Sequence, residues 1–160
     1  MKIVQHWLPL VLLSLLISCG SQSVKTSVAD VELTKIDGTS TSIGAASQEL
    51  PLLVSLWAVW CQPCKRELPV LQDISRQRED LAILAVNIGD DPEKIESFLS
   101  ANGLSVSVAI DNNGALLEAL DAATVPVTVL FDTNGKVLWS HLGAVSTDQV
   151  NQALDAYASL

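Results

Sequence analysis

The sequence predicts an α/β fold in which a mixed sheet is flanked by helices. Three observations carry this. Runs of consecutive apolar residues such as Leu52 to Trp57 alternate with segments of helical period such as Pro63 to Arg78. A β-hairpin pattern precedes the first long helix, and a second precedes the last one. The chain has 160 residues, 49% of them hydrophobic, which is enough for one domain with a sizeable core.

The elements follow in order. Val31, Leu33 and Ile36 lead to the turn Asp37-Gly38, and Thr39 to Ile43 returns as a small hairpin extension. Leu52 to Trp57 is apolar on both faces, as a central strand must be. Pro63 to Arg78 reads as a helix with Leu68, Leu71, Ile74 and Ser75 on one face. Leu81 to Ile88 is a second buried strand. Asp90-Asp91-Pro92-Glu93 starts a helix with acidic caps and a proline in the first turn, and Asn102-Gly103 stops it. Val106 to Ile110 is a short strand and Asn113 to Leu120 a short helix, so an α-β unit is inserted mid-chain. Val127 to Phe131, the tight turn Asp132 to Gly135, and Lys136 to His141 form a late hairpin that supplies antiparallel edge strands. Ser146 caps a last amphipathic helix to Tyr157.

The N-terminus belongs to export rather than to the fold. Lys2 gives a positive start, and Leu8 to Ile17 is an apolar stretch well short of the roughly 20 residues a spanning helix needs. Leu16-Ile17-Ser18-Cys19 then resembles a bacterial lipobox, which implies cleavage before Cys19 and a lipid on that sulfur. The expected organisation is a lipoprotein signal peptide at 1–18, the lipidated Cys19 with a Ser/Thr/Gln-rich tether to residue 29, and the folded domain at 30–160. This places the domain in the cell envelope, facing the periplasm or extracytoplasmic space. Gly20 after Cys19 points to outer-membrane sorting in a Gram-negative host. The net charge is −9, and an acidic surface argues against a nucleic-acid partner, which needs clustered Lys and Arg to neutralise phosphates.

Chemistry concentrates at Trp60-Cys61-Gln62-Pro63-Cys64-Lys65. Two thiols three positions apart, between a buried strand and a helix, read as a redox dithiol. Half of a zinc site has the same spacing, but zinc needs two further N or S ligands. The mature chain offers one histidine, His141, and no further cysteine pair, so no metal site is expected. Cys61 would stand at the helix start, where free N–H groups and the macrodipole favour a thiolate. Cys64, one turn further in, would be more buried and resolve the mixed disulfide that Cys61 forms. No cofactor is needed beyond the Cys61–Cys64 disulfide itself. Val125-Pro126, just before a strand, would give a rigid apolar surface beside the sulfurs, with Trp60, Gln62 and Pro63 completing the substrate surface.

The segment Trp57-Ala58-Val59-Trp60-Cys61-Gln62-Pro63-Cys64-Lys65-Arg66-Glu67-Leu68-Pro69 resembles the TlpA/ResA-like branch of the thioredoxin family. Thr124 to Asp132 resembles its proline strand. The resemblance implies a thioredoxin fold, a cis bond at Pro126, membrane tethering, and disulfide exchange outside the cytoplasm. It implies disulfide-containing envelope proteins as substrates, apocytochromes c among them. It also implies a membrane thiol-reducing electron carrier that restores the dithiol. Ser55 stands where ordinary thioredoxins bury an aspartate, and the branch places Glu67 in that proton-handling role. An ordinary solvated helix glutamate is the alternative for Glu67. Leu120-Asp121-Ala122-Ala123-Thr124 lacks the Tyr-Gly-Val approach to the proline that many members show. Lys65 and Arg66 read as a solvated helix face, and Asp90 and Asp91 as helix caps. A copper or metal chaperone on this fold would want a C-x-x-x-C and a placed histidine. A peroxiredoxin-like peroxidase would want an isolated cysteine with Thr and Arg.

Overall fold

The computed structural model describes residues 27–159. The expected signal peptide, Cys19 and the tether up to residue 26 lie outside the described residues. The strands are β1 (Glu32–Lys35), β2 (Ser40–Ser42), β3 (Leu52–Trp57), β4 (Ala82–Asn87), β5 (Val108–Ile110), β6 (Val127–Phe131) and β7 (Val137–Leu142). The helices are α1 (Ile43–Ala46), α2 (Gln62–Gln77), α3 (Pro92–Ala101), α4 (Ala115–Ala119) and α5 (Thr147–Ala158). One sheet holds all seven strands in the order β2-β1-β5-β4-β3-β6-β7.

The register explains the alternation in the sequence. Strands β3, β4 and β5 run parallel, joined through α2 and α3. Their residues are mostly apolar because both faces are covered, with Ser55 in β3 and Asn87 at the end of β4 as buried polar exceptions. All six residues of β3 are buried. The N-terminal hairpin joins antiparallel to β5. Strand β6 pairs antiparallel with β3 on one side and β7 on the other. It is therefore an interior strand, and only β7 of the late hairpin is an edge. Its composition shows this: Val127 to Phe131 is buried throughout, while β7 exposes Val137 and Leu142. Trp57 and Phe131 are among the largest side chains buried without residue, each contributing roughly 1.5–3 kcal/mol by leaving water.

Two local departures have physical causes. Ile43 does not continue the returning strand. It starts the short helix α1, because the Ser42 hydroxyl accepts the Ala45 N–H and caps it. The tether also ends earlier than its composition suggests, since Val28–Asp30 forms a 3-10 turn with Val28 packed on the core. Gly135 makes room for it. Its φ is +75°, and a Cβ there would lie 2.8 Å from the Cβ of Ala29. At the end of α3, Gly103 adopts φ +62° while Leu104 N–H reaches Leu99 C=O and Gly103 N–H reaches Ser100 C=O. That pair of bonds is the Schellman stop that Asn102-Gly103 predicts.

Candidate active site

The turn between β3 and α2 carries the cysteines. Cys61 is the N-cap residue of α2, and its sulfur takes the place of the usual cap oxygen by accepting the Cys64 N–H at 3.3 Å. Cys61 and Cys64 are joined as a disulfide with a Cα–Cα distance of 5.3 Å. Cys61 retains 4% exposure and Cys64 none. Pro63 lies in the first turn, where its missing N–H leaves no helix bond unmade. Once reduced, Cys61 has its sulfur at the positive end of a 16-residue helix, with a backbone N–H already aimed at it.

The turn itself is fastened from β4. Asp90 accepts the Val59 N–H at 2.7 Å and the Asn87 side-chain amide at 3.0 Å, while Asn87 accepts the Asp90 N–H at 2.8 Å. Asp90 is thus not a cap of α3, and Asp91, which occupies the N-cap position, makes no side-chain cap bond. The reason is reach: Asp90 sits in the loop leaving β4, beside the loop leaving β3. Buried Asn87, at the polar end of an apolar strand, was the available signal for this tie.

Facing the sulfurs, the Val125–Pro126 peptide bond is cis. Cys61 Sγ lies 3.7 Å from the Val125 carbonyl oxygen, and both Val125 and Pro126 are buried. Pro126 C=O accepts the Gly143 N–H, so the loop after β7 pins the proline strand. The unusual approach to the proline also resolves. Asp121 adopts φ +53° at the end of α4, where a glycine would ordinarily sit, and the N–H groups of Asp121 and Ala122 close that helix on Glu118 and Leu117. Trp60 stands out at 66% exposure beside Cys61, and Gln62 is exposed with it. Trp57 is fully buried against Phe98. Half-buried Lys65 places its ammonium over the Phe98 ring, 5.5 Å from the centroid.

Glu67 is not a solvated helix residue. It is 1% exposed beneath the turn of α2 that carries Cys64. Its Oε1 accepts the Thr128 hydroxyl at 2.6 Å, while Oε2 has no hydrogen-bond partner among the described residues. Burial raises its pKa above the ordinary glutamate value. Thr128 opposes this most, with weaker lowering influences from the backbone at Val145 and from Ser55, neither of which meets hydrogen-bond geometry with the carboxyl. Ser55 and Thr128 are direct cross-strand partners on β3 and β6, so the two hydroxyls sit side by side under α2.

Among the described residues, no group of three or more His, Cys, Asp or Glu side chains is placed to hold a metal ion. No helix among them is long and apolar enough to cross a membrane. His141 stacks on Trp139 on the edge strand β7.

Comparison with known proteins places this arrangement. The redoxin family model matches residues 23–157. The thiol-disulfide oxidoreductase ResA of Geobacillus thermodenitrificans is 32% identical over 107 residues, covering 66% of this chain and 62% of ResA. The chain thus aligns with about three fifths of that relative. The thioredoxin-like protein YneN of Bacillus subtilis is 28% identical over 130 residues, covering 79% of this chain and 75% of its own. Among solved structures, StoA of Bacillus subtilis superimposes with a TM-score of 0.66 at 23% identity, covering 77% of this chain and 94% of StoA. The exposed lipoprotein thioredoxin of Streptococcus pneumoniae gives 0.65 at 24% identity, covering 78% and 97%. These structural likenesses show a thioredoxin-like fold. Membership rests on the family model, which spans every described strand: the chain belongs to the redoxin family.

Proposed function

We propose that this protein is a thiol–disulfide oxidoreductase that reduces disulfides of envelope proteins outside the cytoplasm. The single observation that carries the reading is the Cys61–Cys64 disulfide at the N-cap of α2, with the Val125 carbonyl against the Cys61 sulfur. A sulfur so placed is poised as a thiolate nucleophile. The names of its ResA relatives support the same activity.

The geometry supports a two-step cycle. Cys61 thiolate attacks one sulfur of a substrate disulfide, and the other substrate sulfur leaves with the bonding pair and takes a proton. The mixed disulfide lies between Trp60, Gln62 and Pro63 on one side and Val125-Pro126 on the other. Glu67 then accepts the Cys64 proton, and Cys64 thiolate attacks Cys61 Sγ. The Cys61–substrate bond breaks, the second substrate sulfur leaves and is protonated, and the Cys61–Cys64 disulfide returns. The substrate gains two electrons and the dithiol loses two. A membrane thiol-reducing electron carrier, itself a dithiol, supplies the next pair. Cys19 carries the lipid that holds the domain at the membrane, and apocytochromes c are candidate substrates through the likeness to the TlpA/ResA-like branch.

The test is covalent trapping. A Cys64→Ser variant in the native envelope should accumulate disulfide-linked partners that a Cys61→Ser variant does not. A Cys61→Ser variant that still reduces insulin disulfides at the native rate would overturn the reading.

A further inference from the structure

We propose that Thr128 is the positioning residue of the resolving step: its hydroxyl occupies one oxygen of Glu67 and leaves the other to take the proton of Cys64. The proposal rests on Glu67 as the proton partner of Cys64.

The register is the starting point. Ser55 and Thr128 occupy paired positions on β3 and β6, and every other residue of these two strands is apolar. With serine at position 55, the strand supplies no acid at this place. The acid descends from the helix above instead, since Glu67 follows Cys64 by three residues and thus shares its neighbourhood on α2. A carboxyl brought down from a helix on a flexible side chain has rotamer freedom, which costs rate unless something removes it. Thr128 removes it. It is fully buried, it is β-branched and so stiff about χ1, and its hydroxyl donates to Glu67 Oε1 at 2.6 Å.

The two carboxyl oxygens are thereby made unequal. Oε1 is engaged, and Oε2 is buried without a partner. A buried acceptor left unpaired is expensive to maintain, and in native structures such a group calls for a reason. Receipt of a proton from the resolving thiol, three residues earlier on the helix, is one. Thr128 also follows the cis-proline by two residues, so the strand that holds the substrate is the strand that holds the acid. The groups acting on Glu67 are Thr128 from β6, Ser55 from β3 and the backbone at Val145, none of them charged. Cys64 lies three residues earlier on the same helix, and His141 is the titratable neighbour of Thr128 on β7.

The experiment follows the Glu67 side-chain carboxyl by carbon NMR through a pH titration of the full chain in detergent. It runs beside the pH profile of resolution, read as release of a thiol reporter from Cys61. A Thr128→Val variant keeps the shape and loses the donor. Glu67 should then titrate about one pH unit higher, a tenfold change, and the resolution profile should move the same way. A Thr128→Ser variant should restore both. Should Thr128→Val fail to fold, Thr128→Ala against Thr128→Ser gives the same contrast. The proposal is overturned if Glu67 titrates as in the native protein without the hydroxyl, if serine does not restore it, or if Glu67 moves while resolution does not. The carboxyl titration needs no turnover, so its outcome stands apart from the Cys61→Ser test of the redox function.

Discussion

Helices α2 and α5 begin in the same way and for different ends. Each starts after a residue in extended conformation whose side chain accepts a backbone N–H of the first turn. At α5 the acceptor is the Ser146 hydroxyl, and the Gln149 side chain returns the bond to the Ser146 N–H in a full capping box. At α2 the acceptor is the Cys61 sulfur. The first arrangement satisfies orphan helix donors and stops there. The second leaves those donors facing a sulfur that can lose and regain a bond. The same helix-end physics yields stability where the acceptor is inert and chemistry where it is a thiol.

The comparison can be broken in steps, from the largest effect downward. Replacing Cys61 with serine keeps a cap oxygen at α2 and so turns it into a second α5. Disulfide reduction should disappear while the fold remains, which insulin-reduction assays and circular dichroism would record. Replacing Glu67 with glutamine should slow resolution by about 100-fold, the usual size of a lost proton acceptor, measured as reporter release from Cys61. The same variant tests stability. Burial raises Glu67, so the folded state keeps this proton to higher pH than the unfolded chain does. The stability of the neutral form is complete below the ordinary glutamate range and is lost as pH rises through the raised folded value. Glu67→Gln should therefore flatten the fall in melting temperature across that window. An unchanged slope would contradict burial as the cause.

Smaller effects belong to the scaffold. Asp90→Ala removes the acceptor of the Val59 N–H and should loosen the turn that holds Cys61. We expect about a tenfold loss of reduction rate from one misplaced loop, given what a hydrogen bond to a charged group contributes. Ser146→Ala should cost about 1 kcal/mol of stability and leave the reduction rate as it was. A loss of activity in that variant would sink the division between the two helix starts.

The sequence showed the dithiol, the proline strand and almost every element, because those signals are local. Cys61-Gln62-Pro63-Cys64 is a single segment, and apolar runs declare buried strands without knowledge of their partners. What escaped were relations across the sheet. Strand β6 looked like an edge because a hairpin pattern does not show that its first strand also pairs with β3. Asp90 looked like a cap because Asp-Asp-Pro is a cap signal, whereas its bond goes back to Val59, 31 residues earlier. Glu67 remained ambiguous between a surface acid and a buried one, since helical spacing alone does not say how deep its face is covered. Thr128 carried a faint mark, as the polar residue in Val127-Thr128-Val129-Leu130-Phe131, but its partner lies 61 residues away.

The most direct test of the account is the order in which the reduced cysteines react. The reduced protein would be alkylated briefly at mildly acidic pH and each site quantified by mass spectrometry. The account predicts modification of Cys61, at the helix start, with Cys64 spared. Modification of Cys64 first, or of both equally, would contradict it.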